Sequence, residues 1–294
     1  VLRRGLEWEF FRDPVYDYIP YNKQVESKVI DTVEVQRLRR IHQLQIAYLV
    51  YPGADHSRFQ HSLGVMHLAG MFSDHLLSVL EVYGEEEALD GYDKDSLVEA
   101  VRVAGVLHDV GHGPYSHAFE EAVLMSDSEL KAKGLGDHEG VTLALVEHSE
   151  ISDILEKQGK AYGFQELKEI TLMLLSEYSV KMPPVIRLLQ KTLKNWVYPA
   201  DIMDFLLRDS YYTGTKEYGT IDYYRLIMYS YPLMDLIVLD EKAFFTLKNF
   251  LQSRTHMFES VYLHPICRSF DHLVQEMMKS ASEYLGLKER VLAI

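Results

Sequence analysis

Val106-Leu107-His108-Asp109-Val110-Gly111-His112-Gly113-Pro114-Tyr115-Ser116-His117 is the stretch whose reading decides the fold. An apolar helical run from Leu97 to Leu107 ends in an adjacent His-Asp pair. Gly111, Gly113 and Pro114 then forbid the helix to continue in that direction. The pair therefore sits at a helix end, where the chain turns and side chains can converge. His108 offers a neutral nitrogen and Asp109 a charged oxygen, a mixed set that first-row divalent metals accept. His112 and His117 follow within nine residues of the pair.

Upstream lies His56-Ser57-Arg58-Phe59-Gln60-His61-Ser62-Leu63-Gly64. It opens a long amphipathic helix with Leu63, Met66, Ala69, Phe72 and Leu76 facing inward. Arg58 and His61 are three apart and share a face. Before this block, Val25 to Leu44 has helical spacing, with Val29, Val33, Leu38 and Ile41 on one side. Its other side carries Arg37, Arg39 and Arg40 as a solvated basic face. Ile46 to Tyr51 reads as a short strand stopped by Pro52-Gly53. Residues 10–23 are aromatic and proline-punctuated, and read as extended or looped. Residues 83–96 are acidic and form a surface loop.

Downstream, Phe119 to Met125 is helical and 126–137 is a loop. His138 opens another helix, and further helical segments follow over 155–162, 164–175 and 185–196. Pro199 suits the first turn of a helix in which Asp201, Phe205, Arg208 and Tyr212 stack on one face. Ile202, Met203 and Leu206 point into the core. Leu236 to Leu239 is a possible strand. Leu247 to Tyr262 and Ile266 to Tyr284 are long helical patterns separated near Pro265. About ten helices with at most one small β-hairpin make the class all-α, a compact multi-helix bundle. Nothing reads as a linker, so residues 1–294 form one domain.

Composition narrows the function. A net charge of −14 argues against general nucleic-acid binding, which needs cationic surface. It leaves room for a small polyanion held in a local pocket with a metal. The single cysteine, Cys267, excludes an intrachain disulfide and reads as a small buried apolar residue. A reducing, cytoplasmic setting is the default. No run approaches the ~18 apolar residues of a membrane helix, and the first residues lack the apolar core of a secretory signal. Eight of the 13 histidines lie between residues 56 and 138, which marks a site there. His67 and His75 lie along the apolar helix and read as core or boundary residues. The best ligand candidates are His61, His108, Asp109 and Asp201. Two imidazoles and two carboxylates balance a divalent cation, and four protein ligands on Fe, Mn, Zn, Co or Ni leave positions for water and substrate. Such an ion lowers the pKa of bound water and polarises a phosphoryl oxygen.

The blocks Arg58 to Gly64, His108 to His117 and Asp201 to Asp209 resemble the HD-domain phosphohydrolases. More narrowly, they are similar to the deoxynucleoside triphosphate triphosphohydrolase branch, over roughly residues 10–285. The resemblance implies an HD-type core over about 45–215 with a helical C-terminal extension. It implies hydrolysis of a dNTP to nucleoside and triphosphate, one divalent transition metal, and magnesium accompanying the nucleotide. His61, His108, Asp109 and Asp201 would be the metal ligands. His117 and His138 would lie beside the α-phosphate as acid or base and transition-state stabiliser. Glu120 falls where the family usually has an aspartate that orients a histidine. Arg58, His112 and Arg254 would hold phosphates, and Gln43 and Leu44 would contact sugar and base. Phe205 sits where a tyrosine is common. Asp209 and Tyr262 would check the sugar hydroxyls, with His264 following as in the family. Asp31, Gln36 and Arg39 match positions where the family binds an activating nucleotide between subunits, implying a homo-oligomer. Glu9 departs there from the family's lysine. Two alternatives stay open: a phosphohydrolase of nucleoside monophosphates or cyclic dinucleotides, and a nucleotide-binding regulator with little turnover.

Overall fold

The apolar run that begins at the Arg58 block folds as α1 (Arg58–Tyr83) in a computed structural model that describes residues 5–83 and 89–294. The first four residues, weighed above for a signal, and 84–88 of the acidic loop lie outside the described residues. Phe59, Leu63, Val65, Met66, Leu68, Ala69, Phe72 and Leu76 of α1 are all buried. They cover most of the circumference, leaving Gln60, His67, Met71, Asp74 and Ser78 half-buried on one stripe, and a helix so largely apolar belongs in the middle of a core. The helix is long and apolar enough to cross a membrane by composition, which corrects the expectation that no run approaches that limit. Most of it is buried inside the protein.

α2 (Lys94–Leu107) packs along α1. Asp93 caps it by accepting from the Ser96 backbone N–H at 2.9 Å. Gly105 lets the two helices approach closely, because a Cβ there would stand 2.8 Å from Met66 Cα. The helix ends at Leu107, as the glycines and Pro114 predict, and His108 is its C-cap. The outer layer is α3 (His138–His148), α4 (Glu150–Ala161), α5 (Leu167–Leu175) and α6 (Pro184–Leu193). α7 (Ala200–Thr213) lies against α1, which brings Asp201 towards His61. α8 (Phe244–Met257) and α9 (Pro265–Leu285) follow, joined by a π-helical turn over Phe258–Tyr262. A small second core ties α9 back to the central loop: Met278 and Val291 pack with Phe119, Val123, Leu124 and Val141.

The all-α class holds, with two antiparallel hairpins where at most one was expected. β3 (Ser230–Leu233) pairs with β4 (Leu236–Leu239), the foreseen strand. β1 (Trp8–Asp13) and β2 (Asp17–Asn22) pair within the stretch read as extended or looped. Asp13 makes that turn: its Oδ1 accepts from the N–H groups of Val15 and Tyr16 at 2.9 and 3.0 Å. Other local readings change as well. Val25 to Leu44 is not one helix but Glu26–Ile30, Val33–Gln36 and a 3-10 turn over Arg37–Arg40. Thr32 is extended, with φ −64° and ψ 152°, and resets the helical phase. Val33 is therefore 75% exposed, while Val29, Leu38 and Ile41 are buried. Ile46 to Tyr51 finds no partner strand among the described residues and forms a 3-10 turn at Ala47–Leu49. The 126–137 loop contains a short helix, Ser128–Ala132, capped by Asp127.

Candidate metal centre and active site

The loop after α2 is held from three sides. Gly111 lies on the first turn of α3, where a Cβ would come within 2.6 Å of the Thr142 backbone nitrogen. Its N–H donates to Thr142 Oγ1 at 2.9 Å. From the opposite side, Arg37 donates to the carbonyls of His112, at 2.7 Å, and Val110. Arg37 thus turns inward from the face expected to be solvated, while Arg39 and Arg40 remain exposed. Tyr115 and Ser116 adopt φ of 58° and 49°, a strained region for residues with a Cβ. Arg58 Nε donates to Ser116 Oγ at 2.8 Å and fixes that turn. Gly111→Ala is expected to cost about 1–3 kcal/mol by overpacking and to weaken metal binding. Thermal melting and metal titration check this; a variant indistinguishable from the parent in both would refute the close contact.

His61 comes from the first turn of α1, His108 and Asp109 from the end of α2, and Asp201 from the first turn of α7. Their tips converge. His61 Nε2 stands 3.1 Å from Asp201 Oδ1 and 3.9 Å from Asp109 Oδ2. His108 Nε2 stands 3.5 Å from Asp109 Oδ1 and 3.8 Å from Asp201 Oδ1. Both imidazoles use their other nitrogen as a metal-ligating histidine does. His61 Nδ1 lies 2.8 Å from Asp204 Oδ2, and His108 Nδ1 lies 2.8 Å from the Gly105 carbonyl. A ring that keeps its proton at Nδ1 and gives up any proton at Nε2 turns a lone pair towards the cluster. His108 Nε2 is buried and has no hydrogen-bond partner. These donors fit a divalent cation. Burial lowers the His61 pKa, but its hydrogen bonds to Asp201 and Asp204 outweigh that and hold it up at about 10. Burial raises the Asp109 carboxyl, and the Arg58 guanidinium paired with it pulls it well below the usual range.

Behind the cluster is a buried charge network. Arg208 donates to Asp204 at 2.9 and 3.0 Å and to Asp13 at 2.8 Å, and Tyr16 Oη donates to Asp204 at 2.8 Å. Arg208 and Asp204 are fully buried.

A second cluster adjoins the first. Glu120 Oε2 is 3.0 Å from His117 Nδ1, and its Oε1 is 2.8 Å from His138 Nδ1. Glutamate thus serves both histidines where one orienting contact was expected. Despite partial burial, these bonds hold the Glu120 carboxyl well below its ordinary value. Burial lowers the His138 pKa, and the bond to Glu120 more than restores it. His112 is driven well down by burial and then by Arg58, so it is neutral. His112, His117, Glu120 and His138 are close enough to surround an ion. However, the rings of His112 and His138 stack at 4.0 Å with planes 13° apart. Their lone pairs lie in those parallel planes and do not converge on a point, so the geometry suits a proton relay.

Both clusters open on one cavity of about 590 Å³. Arg58, His112, His117 and His138 line it together with three of the candidate ligands, His61, Asp109 and Asp201. Gln43, Leu44, Phe205, Asp209 and Tyr262 form other parts of its wall. Asp209 is held from both sides: His56 Nε2 lies 2.7 Å from its Oδ1, and Tyr262 Oη donates to its Oδ2 at 2.8 Å. Phe205 packs edge-on against Tyr262, with ring centroids 5.7 Å apart. Arg254 is not among the lining residues; its guanidinium lies 5.7 Å over the ring of Phe258, which is one of them. The cation from this part of the chain that does line the cavity is Arg268 on α9. Asp31, Gln36 and Arg39 also lie off the cavity; Arg39 donates to Gln36 Oε1 at 2.8 Å and covers the Phe59 ring. His264 stands behind the wall, with its ring 5.8 Å from Tyr51. Sequence reasoning missed Arg37, His56, Asp204 and Arg268. Only Asp204 had a local signal, as the i,i+4 partner of Arg208.

Comparison with known proteins agrees with this geometry. The family model described as HD domain matches residues 58–191, and the HD associated region matches residues 221–293. The chain is 33% identical over 278 residues to the uncharacterized protein YwfO of Bacillus subtilis, covering 94% of this chain and 57% of that protein. It is 30% identical over 266 residues to a deoxynucleoside triphosphate triphosphohydrolase SAMHD1 homolog of Dictyostelium discoideum, covering 89% and 47%. The crystal structure of a phosphohydrolase from Bacteroides thetaiotaomicron superimposes with a TM-score of 0.72 at 29% identity, covering 94% of this chain and 60% of that one. The chain thus spans about half the length of the curated relatives it matches. The His-Asp doublet that closes α2, its partners on α1 and α7, and the helices that follow place the chain in the HD-domain family, with the HD domain and the HD-associated region in that order.

Proposed function

We propose that the chain is a metal-dependent phosphohydrolase that cleaves deoxynucleoside triphosphates at the α-phosphate and releases nucleoside and intact triphosphate. One HD-type unit with a helical C-terminal extension carries out the reaction. The observation that carries this reading is the single cavity in which the four-ligand cluster, the His117–Glu120–His138 relay and the Asp209–Tyr262 pair all meet.

His61, His108, Asp109 and Asp201 would hold a divalent transition metal, which polarises a phosphoryl group and makes bound water more acidic. His117 offers Nε2–H to the leaving 5′-oxygen while its Nδ1–H remains on Glu120. His138, whose proton the bond to Glu120 favours, faces the negative charge that develops on phosphorus. Arg58 is paired with Asp109. When Asp109 shares its charge with a cation, the guanidinium fork is available to phosphate oxygens. Such local charge is needed, because a chain at −14 repels a triphosphate at long range. Tyr262, fixed on Asp209, narrows the cavity where a sugar would lie and supports a deoxyribose by excluding a 2′-hydroxyl.

The test is product identity. Metal-loaded protein is incubated with each dNTP and the inorganic product is resolved by anion exchange. Intact triphosphate with one equivalent of nucleoside is expected. Pyrophosphate or single phosphates as the inorganic product would defeat the reading and favour a nucleoside monophosphatase or phosphodiesterase on the same scaffold.

A further inference from the structure

Arg268 and Asp271 project from neighbouring turns of α9 into the cavity that holds the metal cluster. Their ends are loosely paired, with Arg268 Nη1 3.5 Å from Asp271 Oδ2. Arg268 keeps 52% of its side chain exposed, while Asp271 keeps 11%. Gln45 faces Asp271 from the other side; with its amide turned so that nitrogen meets the surrounding acceptors, it donates to Asp271 Oδ1 at 3.2 Å and to the Tyr115 carbonyl at 3.1 Å. Gln45 itself is locked at φ 52°, so the carboxylate is fixed by strained backbone as well as by hydrogen bonds.

This end of the cavity differs in kind from the metal end. Arg58 is released from Asp109 when a cation shares that carboxylate. Asp271 is no part of the cluster, so nothing releases Arg268. The two charges cancel, and Asp271 repels a phosphate tail. What remains is a held acceptor beside a donor that can swing to meet a ligand, the complement of a neutral heterocycle edge. Burial raises the Asp271 carboxyl pKa against the pull of Arg268, so donors from a ligand would compensate for a charge that is costly to bury there.

Resting on the nucleotide reading above, we propose that Arg268 and Asp271 recognise the Watson–Crick edge of the nucleobase and favour guanine. Guanine presents N1–H and N2–H side by side, matching the two oxygens of a carboxylate, while its O6 accepts from Arg268. Each carboxylate oxygen has a second lone pair to spare beyond Gln45 and Arg268. Adenine, cytosine and thymine each offer one donor to the carboxylate and one acceptor to the arginine, one hydrogen bond fewer. A hydrogen bond to a charged group changes affinity about 10-fold or more.

The experiment compares dGTP with dITP, which lacks only the 2-amino group, on the full chain and on Asp271→Asn and Arg268→Gln. We expect wild type to prefer dGTP over dITP about 10-fold in kcat/KM, and Asp271→Asn to reduce that ratio to near one. Arg268→Gln should lower dGTP and dITP alike, since both keep O6. Equal use of dGTP and dITP by wild type would overturn the proposal. Calorimetric binding of the two nucleotides to metal-loaded protein gives the same comparison without turnover. If no dNTP releases triphosphate but dGTP still binds about 10-fold tighter than dITP, the activity reading fails and the base reading stands. If triphosphate is released from both equally, the reverse holds. A melting curve for each variant separates these outcomes from misfolding.

Discussion

Asp204→Ala is expected to cost about 3–5 kcal/mol of folding stability, the usual effect of removing one partner of a buried ion pair. Asp204 has no exposure and accepts from Arg208, Tyr16 and His61 at once. Its loss strands a fully buried guanidinium with Asp13 as the one remaining carboxylate hydrogen-bonded to it among the described residues. Such a loss is a large part of the 5–15 kcal/mol that typically holds a domain together. The same change frees the His61 ring from its Nδ1 anchor, so metal affinity should fall by about 10–100-fold as well. Denaturant unfolding of chelated protein measures the first effect, and metal titration of the folded variant measures the second. A variant that loses metal affinity with unchanged unfolding would mean that Asp204 serves only the cluster. The pH dependence follows in sign. Burial raises the Asp204 carboxyl, but Arg208 and His61 outweigh it and bring it from 3.8 to about 2. A depressed carboxyl contributes stability that is present above its unfolded value and lost as pH falls through its folded value. Wild type should therefore lose this contribution between pH 3.8 and about 2, and Asp204→Ala should lack that part of its acid unfolding.

The parts of the site legible in the sequence were those encoded locally. The end of α2 is written in Gly111, Gly113 and Pro114, and the ligands stand at helix ends or first turns in three short blocks. Each block is legible by itself, but the convergence of blocks on α1, α2 and α7 is set by helix packing, and the family resemblance rather than spacing pointed to it. Arg37 and Arg268 were not legible even in that local sense. Arg37 sits in a run of arginines, and only the fold distinguishes the one that meets the carbonyls of Val110 and His112 from the two left in solvent. Arg268 and Arg254 are both cations on C-terminal helices. The π-helical turn at Phe258–Tyr262 changes the helical phase between them. A period of 3.6 residues carried through that turn therefore cannot tell which of the two faces the cavity. The first hairpin was hidden because its residues alternate poorly between buried and exposed. The turn made by Asp13 sets it, rather than an apolar face. Thr32 likewise breaks a pattern that remains helical by composition.

His117→Ala is expected to lower turnover by about 10²–10⁴-fold, the contribution of a positioned general acid, with folding and metal content unchanged. The side chain is 54% exposed and faces the cavity, and the bond from Nδ1 to Glu120 anchors it. Truncating an exposed side chain away from the core usually moves stability by no more than about 0.5 kcal/mol. The metal cluster is built from other residues, so elemental analysis of the variant should match wild type. Glu120→Gln gives the contrasting result. It removes the charge that His138 leans on, so it should lower turnover and also shift the alkaline limb of the pH–rate profile, where the protonated histidine is lost, to lower pH. That sign follows because a histidine whose pKa is supported by a carboxylate loses its proton at lower pH once the carboxylate is neutral. His138, the member of the pair whose pKa the bond to Glu120 raises, should show this most directly when its ring protons are followed by NMR titration. Kinetics and metal analysis together decide between two roles. If His117→Ala loses metal in proportion to activity, His117 belongs to a coordination shell with His112, Glu120 and His138, and the relay is wrong. If metal stays and the chemical step slows, His117 delivers the proton to the leaving oxygen. Restoring turnover to His117→Ala with added imidazole, without any change in bound metal, would establish that role most directly.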